Sequence, residues 1–309
     1  MGKLRGRMRP LTPTEDNNEL VQLRNSLRER TITVWNQGRH DEALEARDEL
    51  AKEATNVLYR TLDSARKASS YLEVSAELLQ LEGRNEEALA DLFEATYLLN
   101  SHEVPALDLG RLNGALGTLL DNMGRIEEAK EHYRRAIEHF SKSSGEPIGV
   151  ARVKNNLAML VKSEGDIEGA RKYYQEALEV VEAKESADEE LAASVRYNYA
   201  VLLQQEGEDA ASAELFDQSL EIRQRVLGDQ HLDTATSHAA VAIIHALMGE
   251  NTEALSHFAM AEPIMRENAS KVREEYDALV ENYCIFLRNI GLSDRADEVE
   301  RVSSEVTPV

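Results

Sequence analysis

The chain has little of what staples or bends a fold. One cysteine among 309 residues, Cys284, rules out an internal disulfide. Six prolines and 16 glycines leave few forced breaks in helices. Aromatic residues make up 5%, with a single tryptophan. The longest apolar run, Ala239 to Met248, is interrupted by His245 and falls far short of the roughly 20 residues that span a bilayer. Lys3, Arg5, Arg7 and Arg9 are not followed by an apolar stretch, so a secretory leader is not expected and a cytoplasmic location is. Positive charge is the scarcer sign: 35 basic residues face 57 acidic ones, a net charge of −22. Such a surface repels a polyanion, which argues against nucleic acid as a partner.

Catalytic signatures are missing too. The sequence contains no GxxxxGK[ST], GxGxxG, HExxH, CxxC or GxSxG. His238 and His245 lie seven apart on one helix face, with His257 in the following helix. They are expected to be packed imidazoles and not metal ligands, because a metal demands convergent ligands and outer support. Gly110, Gly114 and Gly117 sit inside a predicted helix, where they signal close helix contact and not a phosphate loop. Cys284 is expected to pack as a small apolar residue. No enzyme activity, cofactor or metal is therefore expected.

What the chain does have is a period. Gly38, Gly83, Gly124, Gly165, Gly207, Gly249 and Gly291 are spaced 45, 41, 41, 42, 42 and 42 residues apart, each between two amphipathic stretches. Seven residues before them stand Thr31, Ala76, Gly117, Ala158, Ala200, Ala242 and Cys284. Five after stand Ala43, Ala88, Ala129, Ala170, Ser212, Ala254 and Ala296, and twelve after stand Leu50, Ala95, Ala136, Ala177, Ser219, Ala261 and Ser303. Small side chains let helix backbones approach. The bulk comes five before the glycine, from Leu78, Leu119, Leu160, Leu202, Ile244 and Phe286. Apolar spacing near 3.6 and a glycine able to end a helix predict one helix-turn-helix per period, each burying its apolar face on the next. An aromatic nine after the glycine (Tyr133, Tyr174, Phe216, Phe258) is placed to pack the second helix on the first; Arg47, Leu92 and Glu300 replace it elsewhere.

These columns resemble the tetratricopeptide repeat family. The 42-residue period and the segments Asn155 to Ala158 and Leu220 to Ala235 are most similar to its kinesin light chain subgroup, although Leu232 stands where the subgroup has proline. The resemblance implies an all-α, right-handed α-solenoid of about seven repeats. Residues 15–305 are expected to form one array, with 1–14 a basic tail, 306–309 a second tail, and Ser141 to Pro147 the softest joint. Pro263 is expected to kink or end the second helix of the sixth unit, and Ala296, Val299 and Val302 leave the last helix with one apolar stripe, as in a cap.

In that family the first helix of each unit lines a groove, and the positions nine and ten before the glycine project into it. The resemblance thus assigns a peptide-binding groove to Asn155, Asn156, Tyr197, Asn198 and Asn282. An amide both donates and accepts, so a ladder of Asn156, Asn198 and Asn282 suits the backbone of an extended peptide. Arg111, Arg152, Lys162, Gln204, Gln205, Arg288 and Asn289 make the neighbouring positions locally basic, which favours an acidic or carboxylate-ended peptide. The chaperone-binding carboxylate clamp of the family is not reproduced. In the sixth unit the face is apolar (Ala239, Ala240, Ile243, Ala246, Leu247), fit for a hydrophobic anchor or a second copy of the chain. Trp35 is expected to pack against the preceding segment. The function expected is a non-catalytic adaptor for a protein or peptide partner. The alternatives are a peptide- or ligand-responsive regulator and a self-assembling structural protein, and no membrane partner is expected.

Overall fold

The computed structural model describes residues 28–56, 62–100, 104–143, 147–183 and 188–305. The predicted tails at 1–14 and 306–309 and the side chain of Leu50 lie outside them. Among the described residues every regular element is helical. A π-helical turn, Glu29–Thr33, runs into the short α1 (Val34–Asn36), which pairs with α2 (His40–Asn56). Six full hairpins follow: α3 (Leu62–Leu81) with α4 (Asn85–Asn100), α5 (Ala106–Asn122) with α6 (Ile126–Lys142), and α7 (Pro147–Ser163) with α8 (Ile167–Ala183). Then come α9 (Glu189–Gln205) with α10 (Asp209–Leu227), α11 (Leu232–Met248) with α12 (Asn251–Glu267), and α13 (Arg273–Asn289) with α14 (Ser293–Ser304). The chain divides into two compact units between Val153 and Lys154.

The seven period-marking glycines all take positive φ, from 71° to 88°. That left-handed step lets the next residue return its N–H to the carbonyl five back, as from Arg84 to Leu79 at 2.8 Å and from Leu292 to Leu287 at 2.8 Å. The turn is therefore the same hydrogen-bonded device seven times over. In the first unit the residue after the glycine is arginine, and Arg39, Arg84 and Arg125 each pair with a glutamate three residues on.

The small-residue columns meet inside each hairpin. Every described side chain five after the glycine is fully buried, from Ala43 to Ala296. Ser212 in that column donates to the Ala200 carbonyl at 2.8 Å, and the Cys284 thiol donates to the Ala296 carbonyl at 3.6 Å. Side chain and backbone touch directly, so nothing larger fits. The leucines five before the glycine fill the space beside them, with Leu78, Leu119 and Leu202 fully enclosed. Burying each contributes about 1.5–3 kcal/mol. Burial pushes the Cys284 thiol above its ordinary pKa, consistent with a packing role.

The second-helix aromatics do more than pack on their own hairpin. Phe216 meets Tyr197 edge-on at 5.3 Å within its hairpin, but Tyr174 stacks on Tyr199 at 5.8 Å and Phe258 on Tyr283 at 4.7 Å, both in the following hairpin. Pro263 does not end its helix. α12 continues through it to Glu267, although a proline removes the hydrogen bond its nitrogen would have given and crowds the carbonyl four residues back. Trp35 stacks on His40 at 4.2 Å, the residue that opens the next helix.

Gly117 and Gly114 offer a controlled test. A Cβ on Gly117 would lie 2.5 Å from the ring of buried Tyr133, whereas one on Gly114 would meet only Val153, at 3.5 Å. Gly117→Ala is expected to destabilise by about 1–3 kcal/mol. Gly114→Ala is expected to be neutral or to stabilise by up to about 1 kcal/mol through helix propensity. Thermal melts of the two variants check the register.

Candidate functional site

In the unit ending at Val153, the first-helix face is knitted by charge. Arg111 grips Glu73 with two nitrogens at 2.8 and 2.9 Å and reaches Asp108 at 3.4 Å; Arg66 binds Asp108 at 2.9 Å. Ser69 adds a hydroxyl to Glu73 at 3.3 Å. Arg66, Glu73 and Asp108 are almost fully enclosed. The carboxylates beside Arg111 hold its guanidinium well above the ordinary value. Two cations therefore face two anions across α3 and α5, and Arg111 is not the uncommitted cation that its sequence position predicts. Beside the network, the Asn113 Oδ1 accepts from the His132 Nδ1 at 2.9 Å. Arg152, also in this unit, is exposed.

In the unit beginning at Lys154, the amides come together. Asn198 donates to the Asn155 oxygen at 3.1 Å, and Asn155 donates to the Asn156 oxygen at 3.3 Å. The chain of amides links α7 to α9. Asn155 is 5% exposed and so serves as the buried link, not as a groove donor; Asn156 and Asn198 are half-buried on the open side. Ala240 interrupts the ladder in the next hairpin. Asn282 resumes it on α13, exposed, with its nitrogen bonded to the Ala278 carbonyl at 2.8 Å.

The predicted cations of this unit fare differently. Arg288 turns toward its own second helix and binds Asp297 and Glu300 at 3.2 and 2.8 Å, so its charge is answered there. Lys162 is half-buried, and burial pushes its amine below the usual range. Gln204, on α9, is half-buried, and Gln205 is exposed. A locally basic groove thus loses Arg111 and Arg288 to neighbouring carboxylates. Tyr197 is a packing residue as much as a surface one: it rests on Phe216, and the Arg223 guanidinium sits 4.8 Å over its ring. Of the apolar trio, Ala239 is buried in the core, while Ala240 and Ile243 are half-buried at its edge. The sequence reading passed over Met159 and Ile285, 45% and 50% exposed six residues before their glycines. The same alignment on the glycines would have found them.

The three histidines do gather, between α11 and α12. His238 and His257 share a proton between their Nδ1 atoms at 2.8 Å, and His245 stacks on His257 at 6.0 Å while pairing with Glu250. No group of three or more metal-ligating side chains among the described residues is arranged to hold an ion. Asp217 from α10, Asp229 from the preceding turn, and Glu250 and Glu253 from the start of α12 are the charged groups that face the cluster. Burial, then the neighbouring His257, pushes His238 down to about 4.

Three overlapping matches to the sequence profile described as tetratricopeptide repeat cover residues 108–183, 148–222 and 191–267. Among solved structures, BtubC (BKLC) from P. vanneervenii is 25% identical, with a TM-score of 0.62 over 71% of this chain and 88% of that one. The apo form of RapI is 15% identical, with a TM-score of 0.57 over 77% and 97%. Nearly identical kinesin light chain-like TPR repeats of Podosopora anserina are 15% identical, with a TM-score of 0.52 over 64% and 94%. No curated protein sequence matches. No helix among the described residues is long and apolar enough to cross a membrane.

The histidine cluster generates a pH prediction. Unfolded, His238 titrates near 6.5; folded, it resists protonation until about 4. The unfolded state therefore binds more protons in that window, and stability falls as pH drops through it. Wild-type protein is expected to lose about 2 kcal/mol more than His238→Gln between pH 7.5 and 4.5, read by denaturant melts.

Proposed function

The chain belongs to the tetratricopeptide repeat family, and from that premise we propose that it is a non-catalytic scaffold capturing an extended peptide segment of a protein partner. The capturing face is the open side of the first helices in the unit beginning at Lys154. One observation carries the reading: the amide chain Asn198 to Asn155 to Asn156, in which a buried asparagine orients two partly open ones. Amides held at the protein surface can meet the N–H and C=O groups of an extended backbone without depending on its side chains. The bond between Asn198 and Asn155 also fixes the side chain before a ligand arrives, which lowers the ordering cost of binding.

The test is the double variant Asn156→Ala with Asn198→Ala, screened against a library of random twelve-residue peptides beside the wild type. Capture is expected to fall at least tenfold with helicity unchanged by circular dichroism. Equal capture by the two proteins removes the amides from the function.

A second reading, self-association, is favoured by a separate observation in the other unit. Phe93 and Tyr97 stand one turn apart on α4, 42% and 75% exposed. Two aromatic rings in water are an uncommon luxury and suit a second copy of the chain. Sedimentation of Tyr97→Glu against wild type decides it: a smaller assembly in the variant supports this reading, and identical profiles exclude it.

A further inference from the structure

Six residues before the turn glycine, the unit beginning at Lys154 carries an apolar column: Met159, Val201, Ile243 and Ile285. Met159 and Ile285 are the most open, and Val201 and Ile243 are half-buried. The Asn198 amide nitrogen lies 3.4 Å from the Met159 sulfur, so the apolar column and the amides run side by side. In the other unit the same position holds Ile32, Glu77 and Thr118, so no apolar run forms. The stripe belongs to one unit only.

Its spacing selects what fits it. Successive first helices touch: Asn198 of α9 bonds to Asn155 of α7, Val201 of α9 and Ala240 of α11 pack against one core cluster that contains Val241 of α11, and Cα atoms of α11 and α13 come within 8 Å. Helices in such contact lie roughly 8–10 Å apart. A β-strand advances about 3.3 Å per residue and would cover that distance in three residues, but its third side chain faces the opposite way. A polyproline II helix rises about 3.1 Å per residue and returns to the same face every third residue, after about 9.3 Å. Its backbone makes no internal hydrogen bonds, which leaves its carbonyls for the amide nitrogens. Charge chooses the remaining positions. From Lys154 to Val309 there are 31 acidic residues against 14 basic ones, and Arg288, a groove-side candidate, is already matched by two carboxylates.

We propose, resting on the peptide-capture reading above, that the occupant is a polyproline II segment with an apolar side chain at every third position and basic residues between. Four columns call for about ten residues of such a peptide. The partner is then proline-rich and basic, not acidic.

Three labelled twelve-residue probes test this by fluorescence anisotropy: a Leu-Pro-Lys repeat, a rearranged peptide of the same composition with leucines at every second position, and a Leu-Pro-Glu repeat. The first is expected to bind at least tenfold more tightly than either other. Met159→Lys with Ile285→Lys, both on exposed sites, is expected to abolish that preference with helicity intact. Equal binding of the first two probes, or preference for the glutamate probe, overturns the inference; if Asn198→Ala still weakens capture, the amide reading survives. Failure of all three probes, with the random library still captured through the amides, likewise overturns the polyproline assignment alone. Binding of the lysine probe undiminished by the double variant overturns it by reducing the interaction to charge.

Discussion

The rest of the structure depends on how closely the two helices of a hairpin approach. The approach is set where a small residue seven before the turn glycine meets one five after it, closely enough for a serine hydroxyl to reach the opposing backbone, as Ser212 does to Ala200. The two columns hold only small side chains, none larger than threonine or cysteine, because little space remains between helices at that distance. The turn glycine fixes the phase of the approach, because its left-handed φ sets where the second helix begins. Once hairpin geometry is fixed, the large residues five before the glycine fall into the same enclosed place each time. Two of the aromatics nine after it then reach forward to the next hairpin, Tyr174 to Tyr199 and Phe258 to Tyr283. A hairpin alone leaves that aromatic uncovered, which is the physical reason for an array.

Charge is handled differently inside and outside. The carboxylate excess lies on the surface, where water and salt screen it. Within the first unit the charges removed from water are balanced: Arg66 and Arg111 against Glu73 and Asp108. Losing one member of such a set leaves a neighbour charged and unpaired, so the network specifies the packing of α3 on α5 more than it adds stability. The face of the other unit solves the same problem with neutral amides and hydrocarbon. A face of that kind costs little to desolvate when a peptide covers it.

The fold was legible because its signals are local to each period. Glycine spacing, small columns and leucine bulk all repeat at fixed offsets, and alignment of the sequence on itself exposes them. The site was less legible because pairing is decided by residues in the neighbouring hairpin. Arg111 reads as an uncommitted groove cation until Glu73, one hairpin earlier, is seen to grip it. Asn155 and Asn156 are adjacent in sequence, yet one is enclosed and the other half-open, because a helix turns about 100° per residue and only one of the two faces outward. Arg288 carried no warning that it would turn to Asp297 and Glu300 of its own second helix. Pro263 does not cause the early end its position allowed: a helix anchored on both sides of a proline by buried residues such as Ala261 and Ile264 tolerates the missing bond.

Enclosed and open side chains consequently reside in different columns. Residues seven before and five after the glycine are enclosed in every described hairpin, whereas those nine and six before it are at least partly open from Lys154 onward. Because each hairpin contacts only its neighbours, a change in an open column leaves the enclosed ones undisturbed. The contrast between Ile32, Glu77 and Thr118 in one unit and Met159, Val201, Ile243 and Ile285 in the other is a contrast of this kind. The same hairpin supports a charged, self-neutralised face or an apolar one flanked by amides, and the choice leaves the way the helices pack unaltered.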